Sequence, residues 1–294
     1  YIQTQFGLTD IQLGTVGAAP GFGAIFALLV TGSLCNAIGR KRTIQLIAFL
    51  YLFSAITSAL APNYLSLVVA RFIGGLAFSS LSLASMYIGE IAPAQMRGKL
   101  VSINQINIVV GVTAAYFINY LVQQVADEAP DWAASLNLQQ HAWRWMLGSE
   151  ILPALLWLVL VSWVPKSPRW LVSVGRIEEA RESMKRLMPP VEIDQELESI
   201  QQSMAKSHGA TTLGSQLREL LAPHARMAAL VGIVIAAVQP ITGINAILTY
   251  APMVFEQTGV DDPLMTTIWI GVVSVLATFL AILLVDRVGR RPVV

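Results

Sequence analysis

Seven long apolar segments, most of them joined by short polar links, constrain this chain more than any other feature of its sequence. A helix needs about 20 apolar residues to cross the roughly 30 Å hydrocarbon core of a bilayer. Only 13% of the 294 residues are charged, about half of the roughly 25% that is usual in soluble domains. The pattern predicts an all-α, polytopic membrane bundle. Its seven transmembrane helices are expected at residues 12–36, 43–61, 64–91, 100–122, 143–164, 227–251 and 264–285.

The lysine and arginine residues indicate how these spans are oriented. Cytoplasmic loops keep an excess of Lys and Arg, and almost all of the 19 basic residues lie in segments on one side. The segments on the other side carry only acidic charges. We therefore predict a multi-pass protein of the plasma or cell inner membrane. The N-terminus of the chain is expected outside, and its C-terminus and residues 165–225 in the cytoplasm.

Residues 165–225 form the one long polar segment and divide the chain into three parts. Within RIEEARESMKRL (176–187), Glu182 and Arg186 have the i,i+4 spacing of a helical ion pair. The following EIDQELESIQQSMAKS also favours a helix. We predict an N-terminal transmembrane half at 1–164, a cytoplasmic bundle of two to four helices at 165–225, and the beginning of a C-terminal transmembrane half at 226–294.

The sixth predicted span is interrupted at its centre by AAVQPITGIN (236–245). Gln239 lies about 18 Å past Met227 at 1.5 Å per residue, close to the bilayer midplane. Pro240 removes a backbone donor there, and Gly243 weakens the next turn. Broken backbone at this depth is tolerated only where it faces protein or a water-filled cavity. The interruption predicts the wall of a solute cavity, with Gln239 and Asn245 as ligand contacts.

Four ionisable side chains lie inside predicted spans, where they are costly and favour functional roles. Arg71 and Glu150 both lie about 10 Å below the outer boundary, so we expect these opposite charges to pair. Glu90 lies near the inner end of its span. Arg144 lies just inside the outer end of its span, and we expect it to extend to the membrane interface.

Several motifs carry a family resemblance. NAIGRKR (36–42) follows the first span, and DRVGRRP (286–292) follows the seventh, as in an internal repeat. With RFIGG (71–75), MYIGEIAPAQMRGKLVSINQ (86–105), VPKSPRWL (164–171) and QPITGINAILTYAP (239–252), they resemble the sugar porter family of the major facilitator superfamily, in particular its bacterial xylose–proton symporter type. The seven spans resemble the family's second to eighth helices, so we expect a fragment of a twelve-helix transporter whose first helix is missing.

The resemblance implies alternating-access transport of a sugar or sugar-like solute, and it implies roles for individual residues. Solute contacts would be made by Gln105, Gln239 and Asn245. Arg71 and Glu150 would couple conformational change to transport. A cytoplasmic charge network would contain Arg40, Glu90, Arg97, Arg169, Asp286 and Arg290.

The chain departs from the family pattern at several of these sites. The departures are Pro240, Thr249, Ser274 and Val112 around the solute, and Lys166 in place of a glutamate in the cytoplasmic network. They reduce the number of amides available to a sugar, so a polyol or another organic solute stays open. A non-transporting membrane sensor of the same fold is a further alternative. Symport and uniport both stay open, because the family's proton-accepting acid lies on the first helix.

No enzymatic activity, cofactor or metal site is expected, although proton coupling is compatible with the resemblance. The three histidines (His141, His208 and His224) are expected in loops, and phosphate-cradling and nucleophilic-triad patterns are absent from the sequence. A net charge of +1 gives no reason to expect a nucleic-acid partner. We expect a monomer whose partners are the lipid bilayer and a small solute.

Overall fold

The computed structural model describes residues 2–92, 96–128, 130–206, 222, 226–259 and 262–288. Every regular element in these ranges is an α-helix. In chain order the helices are α1 (Ile2–Phe6), α2 (Asp10–Ile38), α3 (Arg40–Ala59), α4 (Tyr64–Leu76), α5 (Ser79–Ile91), α6 (Arg97–Glu128), α7 (Asp131–Ser135), α8 (Leu138–Gly148), α9 (Ile151–Trp163), α10 (Pro168–Ser173), α11 (Ile177–Met184), α12 (Pro190–Lys206), α13 (Arg226–Ile241), α14 (Ile244–Gln257) and α15 (Pro263–Val288).

Six stretches of the described chain are long and apolar enough to cross a membrane, which confirms the predicted all-α membrane bundle. They are Asp10–Ile38, Arg40–Ala59, Tyr64–Ile91, Gly98–Glu128, Leu138–Trp163 and Pro263–Leu284. The sixth predicted span, 227–251, differs because the chain leaves the helical conformation at its centre, whereas the short joints of α4–α5 and α8–α9 keep right-handed helical backbone angles. The helix stops after Ile241 and restarts at Ile244. Gly243 between them has φ +77°, a left-handed conformation that glycine adopts without a steric penalty.

Helices α2 and α4 pack at very close range because glycines lie at their crossing. A Cβ atom added at Gly75 would collide with the backbone of Pro20, and one added at Gly23 would collide with the backbone of Phe72. Small residues permit such close helix contacts in membranes. Helix α3 joins the same layer, where the hydroxyl of Ser54 donates to the carbonyl oxygen of Ala70 at 2.7 Å.

The far end of α3 is held by Arg144, and one expectation about the neighbouring His141 was wrong. Its guanidinium donates to the carbonyl oxygens of Ala59 at 2.9 Å and Ala61 at 2.8 Å, and lies 4.5 Å from the ring centroid of Trp143. It thus satisfies two carbonyls at and just after the end of α3, where carbonyls have no partner further along the helix. Its expected extension to the membrane interface stays a prediction. His141 lies within α8, at a kink, and not in a loop.

Helices α6 and α15 bring the two predicted transmembrane halves together. A Cβ atom added at Gly271 on α15 would lie 2.8 Å from Oγ1 and 2.9 Å from Cγ2 of Thr113 on α6. The Thr113 hydroxyl itself donates to the carbonyl oxygen of Val109 in its own helix at 2.9 Å. The two helices therefore meet here through van der Waals packing, and the missing side chain of Gly271 allows them to approach this closely.

Three helices, α10 to α12, follow the fifth span and share an apolar core. Its buried members include Leu171, Ala180, Met184, Ile193 and Leu197. The expected pair of Glu182 with Arg186 is replaced by one with Lys185, at 2.5 Å. The reason is that α11 ends at Met184, so helical i,i+4 spacing does not continue to residue 186. The division of the chain into 1–164, 165–225 and 226–294 stays a prediction.

Candidate functional site

An ionic cluster lies between α3, α4 and α9, inside the apolar bundle. Arg71 on α4 pairs with Glu150 at 3.8 Å between Nη1 and Oε1. The second oxygen of Glu150 accepts a hydrogen bond from the hydroxyl of Tyr51 on α3 at 3.2 Å. Glu150 also stands at the start of α9, where the positive end of the helix dipole favours a carboxylate. The structure thus brings together the two expected coupling residues and adds Tyr51, which the sequence reasoning missed.

A second ionic cluster lies at the end of the bundle where Arg40, Lys41, Arg42 and Lys166 gather, which we call the cationic end. The Nε atom of Arg40 donates to both oxygens of Glu90, at 3.0 and 3.1 Å. Their side chains are only 14% and 8% exposed. Removing one member of so buried a pair typically costs about 3–5 kcal/mol, because the other charge is left without compensation.

Ser167 joins this cluster to α10 and was also missed from the sequence. Its hydroxyl donates to Oε2 of Glu90 at 2.5 Å and accepts from the backbone N–H of Trp170 at 3.2 Å. Ser167 is therefore both a hydrogen-bond donor to the buried carboxylate and the N-cap of α10. A serine directly before Pro168 is a recognisable helix-start signal, and this signal could have identified it.

The turn between α2 and α3, which contains the first repeated motif, requires a glycine at position 39. Gly39 has φ +88° and ψ 155°, a region occupied almost only by glycine. A Cβ atom there would lie 2.9 Å from the ring of Trp170. The indole N–H of Trp170 donates to the carbonyl oxygen of Asn36 at 3.0 Å. The turn between α2 and α3 is therefore held closely against α10.

We expect Ser167→Ala to loosen α10 from the transmembrane helices. The variant loses a hydrogen bond to a charged group and a helix cap, together about 2 kcal/mol. Hydrogen exchange of the α10 amides should then be roughly thirtyfold faster. Ser173→Ala is the matched control, because Ser173 bonds only the carbonyl oxygen of Trp170 in its own helix. Equal exchange in both variants would contradict the assigned role of Ser167.

Lys166, which departs from the family pattern, has a partner in α11. Its Nζ atom donates to Oε2 of Glu179 at 3.0 Å, and Arg176 contacts the other oxygen of the same carboxylate. The hydrogen bond from Lys166, followed by the contacts with Arg176, holds the pKa of Glu179 below its ordinary value of 4.5, although desolvation offsets part of this shift. A cation at 166 therefore makes its ionic contact within the polar helical segment.

We expect acid to weaken this contact and Lys166→Gln to change its titration. A carboxylate with a lowered pKa stabilises the folded state fully above pH 4.5, and the contribution is lost as the pH falls through the lowered value. In Lys166→Gln the pKa of Glu179 should rise, measured by ¹³C carboxyl shifts in the full-length protein. Glu182, whose pKa is lowered by Lys185, is the internal control and should not change. An unaltered Glu179 titration would refute the contact.

Of the three expected solute contacts, the structure describes the side chain of Gln105. Gln105 is exposed on α6 and makes no hydrogen bond within the described chain. It is two turns from Val112, so both lie on one face of the helix. The side chains of Gln239 and Asn245 lie outside the described residues, and the break between α13 and α14 separates these two positions in the chain. Their roles stay predictions.

Two of the remaining positions in the expected charge network and solute cavity, Arg169 and Ser274, have described side chains. Arg169 is exposed on α10 and pairs with no carboxylate in the described ranges. The side chains of Arg97 and Asp286 and the whole of Arg290 lie outside the described residues. Ser274 turns its hydroxyl to the carbonyl oxygen of Ile270 in its own helix, at 2.8 Å.

A family model and the sequences of known relatives point to the same protein family. A family model described as "Sugar (and other) transporter" matches residues 3–294. The chain is 33% identical to the arabinose–proton symporter of Bacillus subtilis strain 168, over 99% of this chain and 61% of that protein. It is 35% identical to the D-xylose–proton symporter of Escherichia coli strain K12, over 95% of this chain and 58% of that protein.

Solved structures agree. A structure of the proton:xylose symporter XylE bound to 6-bromo-6-deoxy-D-glucose superimposes with a TM-score of 0.83 at 32% identity, covering 99% of this chain and 64% of that one. An inward-open structure of XylE from E. coli gives 0.74 at 31% identity, covering 99% and 63%. The chain thus spans about three fifths of the length of the relatives that it matches. It is a multi-pass membrane protein and belongs to the sugar porter family of the major facilitator superfamily.

Proposed function

We propose that the protein moves a sugar or sugar-like solute across the membrane by alternating access. The observation that carries this proposal is the presence of ionic clusters at two levels of one apolar bundle. Arg71, Glu150 and Tyr51 form one within the spans, and Arg40, Glu90 and Ser167 form the other at the cationic end. Each cluster joins different helices, so a change in helix packing makes or breaks it and gives the bundle discrete states.

The sugar as cargo is supported by relatives named as symporters of arabinose, xylose and galactose. A polar site near the midplane that hydrogen-bonds hydroxyl groups rejects solutes without them. The break between α13 and α14, where Gly243 takes a left-handed conformation, lies in the part of the span where irregular backbone is tolerated only beside protein or a water-filled cavity. Proton coupling belongs to the same proposal, because these relatives are named as proton symporters.

The test is uptake by the full-length protein in liposomes. We expect saturable entry of at least one of ¹⁴C-labelled D-xylose, L-arabinose, D-galactose or D-glucose, increased by an inward proton gradient and abolished by a protonophore. Protein-free liposomes are the control. Sorbitol and myo-inositol test the polyol alternative. Binding of a sugar without any uptake would support the sensor instead and overturn the proposal.

The orientation is part of the proposal: the cationic end is expected in the cytoplasm, by the positive-inside rule. Cys35 is the only cysteine of the 294 residues and is 2% exposed, so single cysteines introduced here can be labelled with little background once any cysteine elsewhere in the full-length protein is replaced. Lys99→Cys should react with an impermeant maleimide only in inside-out vesicles, and Gln3→Cys only in right-side-out vesicles. The reverse pattern would refute the orientation.

A further inference from the structure

Two cavities adjoin at the cationic end and share Lys41. The first has a volume of about 350 Å³ and lies between α3, α5, α6 and α9. The second has a volume of about 230 Å³ and lies between the turn after α2, the start of α3 and the start of α10. The Nζ atom of Lys41 donates to the carbonyl oxygen of Ser162 at 2.8 Å and keeps further donor capacity. One ligand can therefore contact both cavities.

The second cavity carries a surplus of positive charge. Its charged lining residues are Arg40, Lys41, Arg42, Lys166 and Arg176. Two carboxylates offset part of this charge, because Glu90 pairs with the first and Glu179 with the last two. Arg42 is exposed and has no ion pair or hydrogen-bond partner in its side chain's described surroundings. The lining thus suits an anion, and the uncapped start of α3 adds the positive end of a helix dipole.

The first cavity suits hydrocarbon. Its walls include Ile44, Leu81, Ile88, Trp157 and Val161, all apolar and all on helices predicted to cross the membrane. The two cavities also lie near the ends of predicted membrane spans, since α3 begins at Arg40 and α9 ends at Trp163. A soluble anion uses only the cationic cavity, whereas an amphiphile with an anionic head fills both.

We propose that these cavities together bind one anionic phospholipid, with its phosphate among the cations and part of an acyl chain in the apolar cavity. Basic pockets between membrane helices on the cytoplasmic side favour such headgroups. The residues changed in the test, Lys41, Arg42 and Ala84, lie outside the two ionic clusters of the proposed function, although Arg40 and Ser167 line the second cavity as well. It rests on the proposed orientation, because the cationic end must meet a leaflet that contains anionic lipid.

The test is native mass spectrometry of the full-length protein in detergent with dioleoyl phosphatidylglycerol or dioleoyl phosphatidylcholine. We expect one tightly bound phosphatidylglycerol and no comparable phosphatidylcholine adduct. Each lost cation should weaken binding about fivefold, so Lys41→Gln/Arg42→Gln should weaken it about 25-fold. Arg42→Gln alone removes an exposed side chain without a bonding partner and should weaken it fivefold with the fold intact. Lys99→Gln removes an exposed cation outside the cavity and is the matched control.

Two further arms separate lipid from free phosphate. Ala84→Phe narrows the apolar cavity, whose lining includes Ala84, and should weaken phosphatidylglycerol binding while all cations stay. Inorganic phosphate at millimolar concentration should not displace the lipid. The proposal is overturned if phosphatidylcholine binds equally, if Lys99→Gln weakens binding as much as Arg42→Gln, or if inorganic phosphate displaces the lipid. Sugar uptake is measured separately on the unmodified full-length protein. If that protein binds phosphatidylglycerol as expected but takes up no sugar, the proposed function is refuted and the lipid site is not.

Discussion

Gly75→Ala will destabilise the protein by about 3 kcal/mol or more, the largest effect that we expect from a single added methyl group. Its Cβ would lie 2.7 Å from the carbonyl carbon of Pro20 and closer still to the oxygen. These are backbone atoms of α2, so no rotation of a side chain relieves the collision. Overpacking typically costs about 1–3 kcal/mol when side chains can shift. Here two helices must separate, and the close packing of α2 against α4 is lost.

The measurement is the thermal stability of the purified full-length protein, followed by the monodisperse fraction after heating. Gly17→Ala on α2 is the matched control, because a Cβ there meets no atom of the described residues outside its own helix backbone within 4 Å. That change should stabilise the helix by up to about 1 kcal/mol, since alanine has the higher helix propensity. If the two variants melt at the same temperature, the close crossing of α2 and α4 does not exist in the membrane.

Arg71→Ala will reduce uptake to background without loss of protein from the membrane. The change removes the cation that pairs with Glu150 and leaves this carboxylate with Tyr51 alone. The pair is 30% and 37% exposed and separated by 3.8 Å, so its loss costs less folding free energy than loss of a fully buried pair. The effect should therefore fall on transport more than on stability.

Uptake per molecule of membrane-inserted protein is the measurement for this prediction. Tyr51→Phe should reduce uptake only several-fold, because it removes one hydrogen bond to Glu150 and keeps both charges. Lys99→Ala, which removes an exposed cation at the cationic end, should have no effect. Full transport by Arg71→Ala would exclude the coupling role of the pair.

Much of the fold follows from the sequence because membrane helices satisfy their backbone bonds locally. Six of the seven apolar segments form continuous spans near the predicted positions. The interruption after Ile241 could also be predicted, because Pro240 and Gly243 act on the backbone itself. The equal depths of Arg71 and Glu150 followed from helical rise, and the structure brings these residues into contact.

The misses involve contacts between segments distant in the sequence. Arg144 donates to carbonyls at and just after the end of α3, more than 80 residues earlier, and no local pattern indicates that these carbonyls lie within reach. Ser167 reaches Glu90 across 77 positions, and Tyr51 reaches Glu150 across 99. Periodicity and charge predict which residues are polar inside the bundle, but only packing determines which of them meet.

The position of Trp170 makes it an optical reporter of the cationic end. Its ring lies against Gly39 and its indole N–H is bonded to Asn36, so emission from this residue depends on whether α10 stays docked. The chain has seven tryptophans, and a variant that keeps only Trp170 isolates its signal. Separation of α10 exposes the indole to water and shifts its fluorescence to longer wavelength. A transport cycle could thus be followed in time without any attached dye.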